Sequence, residues 1–167
     1  MYLHGCADTR EVGILERPNY HSCTAMQVMA DQVFADSSLS MDDVKYIDFY
    51  SCFPSAVEFA REAFGLAEDD PRNLTVTGGL PFFGGPGNNY SMHGIASMVE
   101  KLRRKPSAFG LITANGGYLT KHASGVYSCQ PLASEWQLPD SDSVQREVDG
   151  LDYPAFTETP QGDATIE

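Results

Sequence analysis

Three stretches of the chain repeat apolar residues at helical spacing. Residues 24–37 place methionine, valine and phenylalanine side chains on one face, and residues 54–64 do the same with alanine, valine and phenylalanine. The second stretch begins at a proline and is followed by Gly65, and both residue types are common at these helix positions. A third stripe, in residues 95–105, ends in the basic run KLRRK before Pro106, where the helix dipole favours cations. The spacing predicts three amphipathic helices.

Shorter runs rich in β-branched and aromatic residues lie outside these helices and predict strands. Residues 9–23 have no clean period and include a proline, so we expect mostly loop there. Strands that alternate with helices indicate an α/β protein with a layered sheet. We therefore expect a layered α/β fold. The predicted strands are residues 2–8, 45–50, 73–77, 108–115 and 124–131.

The apolar pattern stops near residue 132, and this changes the expected domain organisation. Residues 133–167 carry nine acidic residues against one arginine, which accounts for eight of the twelve net negative charges. We interpret residues 1–132 as one folded domain and residues 133–167 as an acidic linker. The final residues, ATIE, read as the first residues of a strand with no partner after it, so we expect the linker to lead into a further segment. A disordered acidic tail is the alternative.

Size and composition exclude several classes of protein. The chain has 167 residues, 42% hydrophobic and 20% charged, which is typical of a globular domain. No apolar run approaches the roughly 20 residues of a membrane span, and the N-terminus carries no signal-peptide pattern. We therefore expect a cytoplasmic location and no membrane span. The net charge of −12 and the small size of the basic cluster at residues 101–105 argue against nucleic-acid binding.

The four cysteines, Cys6, Cys23, Cys52 and Cys129, follow no metal-binding spacing. They form no C-x-x-C pair and accompany no histidine cluster of the kind that zinc sites require. We therefore expect no metal. In a reducing compartment each cysteine is most simply a small buried apolar residue, and a catalytic thiol is the alternative.

Residues 78–94, GGLPFFGGPGNNYSMHG, hold six glycines and two prolines between a predicted strand and a predicted helix. Their spacing matches neither the dinucleotide fingerprint nor the nucleoside-triphosphate loop. A glycine-rich turn before a helix nevertheless presents backbone N–H groups at the helix N-terminus, where negative charge is stabilised. The region of residues 88–91 therefore suits an oxyanion or a thioester carbonyl as well as it suits a phosphate.

Three blocks of sequence carry a resemblance to a known family: YIDFYSCF, NLTVTGGLPFFGGPG and LITANGGYLTKHASGVYS, in this order. They resemble the C-terminal half of the thiolase superfamily, specifically the sterol-carrier-protein-type thiolases and thiolase-like acetyl-CoA acetyltransferases. The resemblance covers about residues 1–132, and residues 133–167 look like an acidic linker into a truncated accessory β-domain that some thiolase-like proteins append. It implies a three-layer α/β fold of thiolase type, in which a mixed sheet carries helices on both faces. It also implies an acyl-coenzyme A thioester as substrate with no covalently bound cofactor, and an N-terminal half that supplies the cysteine nucleophile.

The catalytic motifs of that family are altered in this chain. The H-D-C-F motif falls on residues 50–53, where a tyrosine replaces the histidine. The G-H-P motif falls on residues 84–86, so Gly85 stands where the activating histidine would be, and the C-x-G motif falls on residues 114–116, with Ala114 in place of the cysteine. Neither glycine nor alanine exchanges protons, and each general acid–base group typically contributes about 10²- to 10⁴-fold. The resemblance therefore implies an impaired thiolase cycle.

Other residues are candidates for the missing chemistry. The position of His93 is about 160° from the apolar stripe of its helix, so it faces either solvent or a shared active site as a substitute base. Tyr50 and Cys52 end a predicted strand, where α/β sheets place ligands, and ordinary packing is the alternative for both. The asparagines either cap the helix and make a turn or offer amide N–H groups to a thioester oxygen. The candidate catalytic residues are His93, Tyr50, Cys52 and Asn115, and the candidate cofactor-binding residues are Gly84, Gly85, Asn88, Asn89 and Gly116.

These residues lead to two hypotheses about function. The first is a thiolase-family acyltransferase domain that acts on acyl-coenzyme A and completes its site with an N-terminal half. The second is a non-catalytic acyl-coenzyme A-binding or scaffold subunit that kept the fold and lost the motifs. We expect a homo-oligomer in either case, because an open half exposes apolar surface. The basic cluster at residues 101–105 is a solvated helix end or, alternatively, a contact for coenzyme A phosphates.

Overall fold

The computed structural model of the chain describes residues 1–133 and 135–165. Single short 3₁₀ turns lie at Ile14–Glu16 and Met41–Asp43. The strands are β1 (Tyr2–Arg10), β2 (Val44–Asp48), β3 (Phe109–Gly116) and β4 (Lys121–Ser128), and the helices are α1 (Thr24–Ser37), α2 (Pro54–Ala63), α3 (Leu80–Phe83), α4 (Tyr90–Arg104) and α5 (Ser141–Asp149).

The four strands form one mixed sheet in the order β1-β4-β3-β2. The β1–β4 and β4–β3 pairs are antiparallel, whereas β3 and β2 are parallel. Helices α1, α2 and α5 contribute to the larger hydrophobic core on one face, and α4 packs on the other face against β3 and β2. The expected α/β fold, with a mixed sheet and helices on both faces, is confirmed.

The alternation of side chains along the strands explains why both faces are covered. Leu111 in β3 and Val126 in β4 are fully buried in the larger core. The next residue of β3, Ile112, points to the opposite face and packs with Met98 and Leu102 of α4. Strands that are apolar on both faces are typical of sheets between two helical layers.

The predicted strand at residues 73–77 is wrong. This segment runs beside β2 without forming a ladder, and the amide of Phe49 donates one hydrogen bond to Leu74 O over 2.9 Å. The amides of Val76 and Thr77 donate instead to the Asp48 carboxylate, at 2.9 and 3.1 Å. A buried side chain has therefore taken the place of strand hydrogen bonds, which β-propensity alone does not reveal.

Helix α4 begins at Tyr90, directly after the asparagines that the sequence placed as its cap. Its first turns contain Gly94, and a Cβ atom there would lie 2.6 Å from an Asp48 carboxylate oxygen. Glycine lowers helix propensity, but here it allows the helix to approach β2 closely.

Helix α5 lies in the segment that we interpreted as an acidic linker. Its Val144 and Val148 are buried in the larger core, and the Asp140 carboxylate caps the helix by accepting from Ser143 N at 3.0 Å. The Gln145 side chain exchanges two hydrogen bonds, of 2.7 and 3.0 Å, with the backbone of Arg10 at the end of edge strand β1. The core thus includes residues beyond 132, whereas the accessory β-domain stays a prediction, because residues 166 and 167 of its proposed first strand lie outside the described residues.

Candidate functional site

A polar cavity of about 540 Å³ lies where β3 ends, β4 begins and α4 starts. The volume is within the usual range of small-molecule sites, about 300–1,000 Å³. Arg10, Lys121 and Asp8 bring charged side chains to its rim. The sequence-predicted residues that line it are Tyr50, Asn88, Asn115 and Gly116.

Tyr50 follows β2 and is held in place by its backbone and its ring. Its amide donates to Thr113 Oγ1 over 2.9 Å, which ties it to β3. Its ring packs edge-on against Tyr90 with the ring centroids 5.2 Å apart, a favourable aromatic geometry. Burial raises the pKa of the Tyr50 hydroxyl, so the phenol is a hydrogen-bond donor at neutral pH.

Cys52 and Asn115 lie together at the carboxyl end of the β2–β3 pair. The Cys52 thiol is 3.7 Å from Asn115 Oδ1, within the range of a weak S–H hydrogen bond. Asn115 borders the polar cavity, whereas Cys52 borders a neighbouring cavity of about 360 Å³. The predicted pair therefore occupies the boundary between two spaces.

Gly85 has no room for a side chain. A Cβ atom at this position would lie 2.7 Å from the Cβ of Tyr90 and 3.2 Å from its Cα. Tyr90 is the first residue of α4 and is 1% exposed, so it is not free to withdraw. The position that corresponds to the family's activating histidine is thus closed by packing, which sequence comparison alone does not show.

A chain of side-chain hydrogen bonds explains why Tyr90 is so firmly held. Its hydroxyl lies 3.0 Å from Ser51 Oγ and 2.7 Å from Thr77 Oγ1. Thr77 Oγ1 donates to Asp48 Oδ1 over 3.1 Å, and Ser51 Oγ accepts from Leu80 N over 2.9 Å. Since each hydroxyl has one proton, the bonds run in one direction, from Leu80 through Ser51, Tyr90 and Thr77 to Asp48.

This chain of hydrogen bonds connects the end of β2, the start of the glycine-rich loop and the first turn of α4. Asp48 is completely buried, and burial raises the pKa of its carboxyl group, against the lowering effect of the Thr77 and Val76 hydrogen bonds. Sequence reasoning missed both Asp48 and Tyr90. The available signal was an aspartate at a core position of an otherwise apolar strand, since a buried carboxylate requires partners.

His93 faces the glycine-rich loop. Its Nδ1 donates to Gly84 O over 3.2 Å, and its ring centroid lies 5.5 Å from that of Phe83. Among the described residues, the lining of the polar cavity includes Ser91 and Asn88 but not His93. The hydrogen bond fixes the proton on Nδ1 and leaves Nε2 as the basic nitrogen. The role of His93 as a substitute base stays a prediction.

The remaining predicted loop residues have backbone roles. Gly84 has a φ of 80° and ends α3, a conformation that favours glycine. Asn89 is the N-cap residue of α4 and accepts the first helical bond, from His93 N at 3.0 Å, through its backbone carbonyl. Its side chain makes no capping bond.

Ala114 lies on the wall of the polar cavity, so the position of the family's acid–base cysteine carries only a methyl group.

A second polar cluster surrounds His122, a residue that also lines the polar cavity. The Cys23 thiol is 3.2 Å from His122 Nε2 and 3.6 Å from Glu11 Oε2. Burial raises the pKa of Cys23 to about 11 and lowers that of His122 to about 4. Both groups are therefore neutral at pH 7. A buried thiol in this state is a poor nucleophile, which favours the structural interpretation of Cys23.

Residues 1–133 and 135–165 contain no cluster of three or more histidine, cysteine, aspartate or glutamate side chains that could hold a metal ion. Within the same ranges, every helix is too short or too polar to cross a membrane.

Comparison with known proteins finds similarity among solved structures. No family model and no curated protein matches the sequence. Among solved structures, the chain is similar to the crystal structure of a monomeric SCP2-thiolase-like protein type 1 from Mycobacterium smegmatis, with a TM-score of 0.86 and 45% identity. The match covers 93% of this chain and 34% of that one, so this chain spans about a third of the length of its relative. The chain therefore has the fold of an SCP2-thiolase-like protein.

Proposed function

We propose that the chain is the C-terminal half of a thiolase-like protein and that its polar cavity binds the thioester group of an acyl-coenzyme A. The main support is the convergence of Tyr50, Asn88, Asn115 and Gly116 on one cavity. A phenol, amide groups and backbone N–H groups suit a carbonyl oxygen that carries partial negative charge. The relative is about three times as long as this chain, and an N-terminal half that closes the site is part of the proposal.

Binding without turnover is the version of this function that the geometry favours. Gly85 is closed by Tyr90, and Ala114 has no proton to exchange. Proton transfer at these two positions would have to come from elsewhere. Binding of the substrate needs only hydrogen-bond donors and space, and the polar cavity offers both.

Acyl transfer is the second candidate, and the geometry of His93 is the observation that favours it. Because Gly84 O holds the Nδ1 proton, Nε2 is available as a base. His93 also lies one helical turn from Tyr90, in the first turns of α4, where the N-terminal half would meet this chain. In this version the N-terminal half supplies the nucleophile, and His93 acts in place of the family's histidine.

Calorimetry with acetyl-coenzyme A tests the binding proposal. We expect the wild-type chain to bind, and Asn115→Ala to weaken binding about tenfold, the usual cost of one hydrogen bond to a polar ligand. Asn73→Ala, at an exposed asparagine on the other side of β2, is the matched control and should bind like the wild type. Equal affinity of the two variants would show that the polar cavity is not the thioester site.

Turnover separates the two versions. The longer protein, with its N-terminal half, is assayed for release of free coenzyme A from acetyl-coenzyme A. The binding version predicts no turnover by either the wild type or His93→Ala, and equal affinity of the two for acetyl-coenzyme A. A loss of turnover of 10²-fold or more in His93→Ala, with unchanged affinity for the substrate, would establish the acyl-transfer version instead.

A further inference from the structure

A buried arginine lies in the wall of the second cavity, the one of about 360 Å³ that adjoins the polar cavity. This second cavity lies between the segment around the first 3₁₀ turn, the start of α2 and the turn that joins β3 to β4. Arg17 is the one charged side chain among the described residues that line it. The rest of the lining is mostly apolar and aromatic, and we call the space the apolar cavity: Ile14, Tyr20, Phe53, Phe59, Tyr118 and Leu119.

Arg17 is buried without a counter-charge. It is 7% exposed, and an arginine keeps its positive charge when it is buried. None of the ion pairs within residues 1–133 and 135–165 includes it. The carboxylate of Glu11 is engaged by other groups, because it accepts from Ala25 N over 3.1 Å and from the Tyr153 hydroxyl over 3.0 Å. Since a buried charge is costly unless it is paired, an anion in the cavity would stabilise this guanidinium.

The protein uses only part of the hydrogen-bonding capacity of Arg17. Its Nη2 donates to the backbone carbonyl of Tyr118 over 2.9 Å and to that of Leu119. Its Nε is buried and has no partner in the part of the chain that the structure describes, and Nη1 makes no hydrogen bond there either. A guanidinium presents its N–H donors in a rigid fork. The two carbonyls therefore hold the group in one orientation and leave donors for a ligand.

The composition of the apolar cavity selects the class of anion. One guanidinium balances one negative charge, whereas a doubly charged phosphate would bring an uncompensated charge into an apolar space. A carboxylate also matches the fork of an arginine through paired N–H···O bonds. Phe53, Phe59 and Tyr118 offer aromatic surface to the rest of the ligand, which favours an aromatic ring.

We propose that the apolar cavity binds a small free aromatic acid, whose carboxylate pairs with Arg17 and whose ring packs against Phe53, Phe59 and Tyr118. The ligand is a free acid and carries no thioester. This site therefore goes beyond the proposed function and does not depend on it.

Phenylacetate and its uncharged amide, phenylacetamide, test the inference on the 167-residue chain at pH 7. The two probes share the ring and have nearly the same shape, so the difference between their affinities measures the effect of the charge. A hydrogen bond to a charged group strengthens binding about tenfold or more. In amide NMR titrations we therefore expect phenylacetate to bind at least about tenfold more tightly than phenylacetamide, with the largest shifts at Gly117, Tyr118 and Leu119. Equal affinities, no binding of phenylacetate, or shifts confined to the basic residues 101–105 would overturn the inference.

Two variants locate the acid. Arg17→Gln removes the charge and should lower the affinity for phenylacetate to that for phenylacetamide. Because Arg17 also holds the β3–β4 turn, Ser55→Trp provides a second variant that keeps the arginine. Ser55 is exposed on the first turn of α2 and lines the apolar cavity, so a tryptophan there should fill the space and abolish binding. Ser143→Trp, on the first turn of α5, is the matched control and should bind phenylacetate like the wild type.

Unchanged affinity for phenylacetate in either Arg17→Gln or Ser55→Trp would place the acid elsewhere and overturn the inference. The Ser55→Trp result decides the matter even if Arg17→Gln does not fold. The outcomes for the two proposals are also distinguishable. If acetyl-coenzyme A binds and phenylacetate does not, this inference fails and the proposed function stands. If phenylacetate binds as expected and acetyl-coenzyme A does not, the acid site stands and the proposed function fails.

Discussion

Tyr90→Phe is the substitution that tests the hydrogen-bonded support of the site most sharply. It keeps the ring that packs against Gly85 and Tyr50 and removes only the hydroxyl. The loss leaves Ser51 without the acceptor for its proton and Thr77 without one of its donors, at 3.0 and 2.7 Å respectively. Both groups lie in a largely buried network, so water does not readily replace the lost bonds.

The magnitude follows from these two contacts. A buried hydrogen-bonding group that loses its partner costs about 1–3 kcal/mol, and we expect about 2 kcal/mol for this network. For a chain of this size that corresponds to a fall in Tm of about 4–8 °C. Thermal unfolding followed by circular dichroism measures it, with urea unfolding as the check on two-state behaviour.

Tyr20→Phe is the matched control, because that tyrosine is 64% exposed and its loss of a hydroxyl should change Tm by less than about 2 °C. If Tyr90→Phe proves as stable as Tyr20→Phe, the directional chain of bonds from Leu80 to Asp48 does not contribute to stability. Hydrogen bonding of the Tyr90 hydroxyl would then not be what holds Tyr90 against Gly85.

Three further predictions concern packing and protonation. Gly85→Ala should lower the free energy of unfolding by about 1–3 kcal/mol, because its Cβ would meet the Tyr90 backbone. Gly116→Ala, whose Cβ would have 3.8 Å of clearance, should lower it by less than about 1 kcal/mol in urea unfolding. Equal losses in the two variants would contradict the close packing of Tyr90 against Gly85. Burial lowers the pKa of His122 to about 4. The neutral side chain therefore contributes about 3 kcal/mol to the free energy of unfolding above pH 6.5, and this contribution is lost as the pH falls towards 4. Urea unfolding at pH 7 and pH 4.5 should show a smaller decline for His122→Gln than for the wild type, and parallel declines would refute the assignment. Burial raises the pKa of Cys23 to about 11, so Cys23 should be the slowest of the four cysteines to react with iodoacetamide at pH 8, as measured by peptide mapping. Rapid labelling of Cys23 in the native chain would refute this, because it would show that the thiol is accessible and ionised.

The helices were the most predictable part of the fold, and particular residues explain why. The apolar faces of α1 and α2 are buried as their spacing predicted, and Pro54 begins α2 while Gly65, at a φ of 66°, follows its end. Such local signals are independent of the rest of the chain. Helix α5 escaped notice because only Val144 and Val148 carry its apolar face among many acidic neighbours.

The candidate site was predictable in position but not in its internal structure. Tyr50, Asn88, Asn115 and Gly116 were expected near one another, and they line one cavity. The Asp48–Tyr90 network was not expected, because it joins residues 42 positions apart whose contact depends on the tertiary fold. The clash at Gly85 has the same origin, since no local pattern shows which side chain occupies the space beside a glycine.

The monomeric state of the relative does not decide whether this chain forms the predicted homo-oligomer. The M. smegmatis relative is described as monomeric and is about three times as long as this chain, so its state does not extend to an isolated half. Phe82 in the glycine-rich loop and Met92 at the start of α4 are exposed apolar side chains, at 90% and 63% exposure, and the homo-oligomer stays a prediction.

The proposal that the polar cavity is the thioester site is tested most directly by amide NMR. Isotopically labelled chain is titrated with acetyl-coenzyme A, and the shifts of the backbone N–H signals are mapped onto the sequence. The largest changes in backbone N–H chemical shift should occur at Asn88, Asn115 and Gly116, if the thioester binds in the polar cavity. No shifts at all, or shifts confined to the basic residues 101–105, would contradict it.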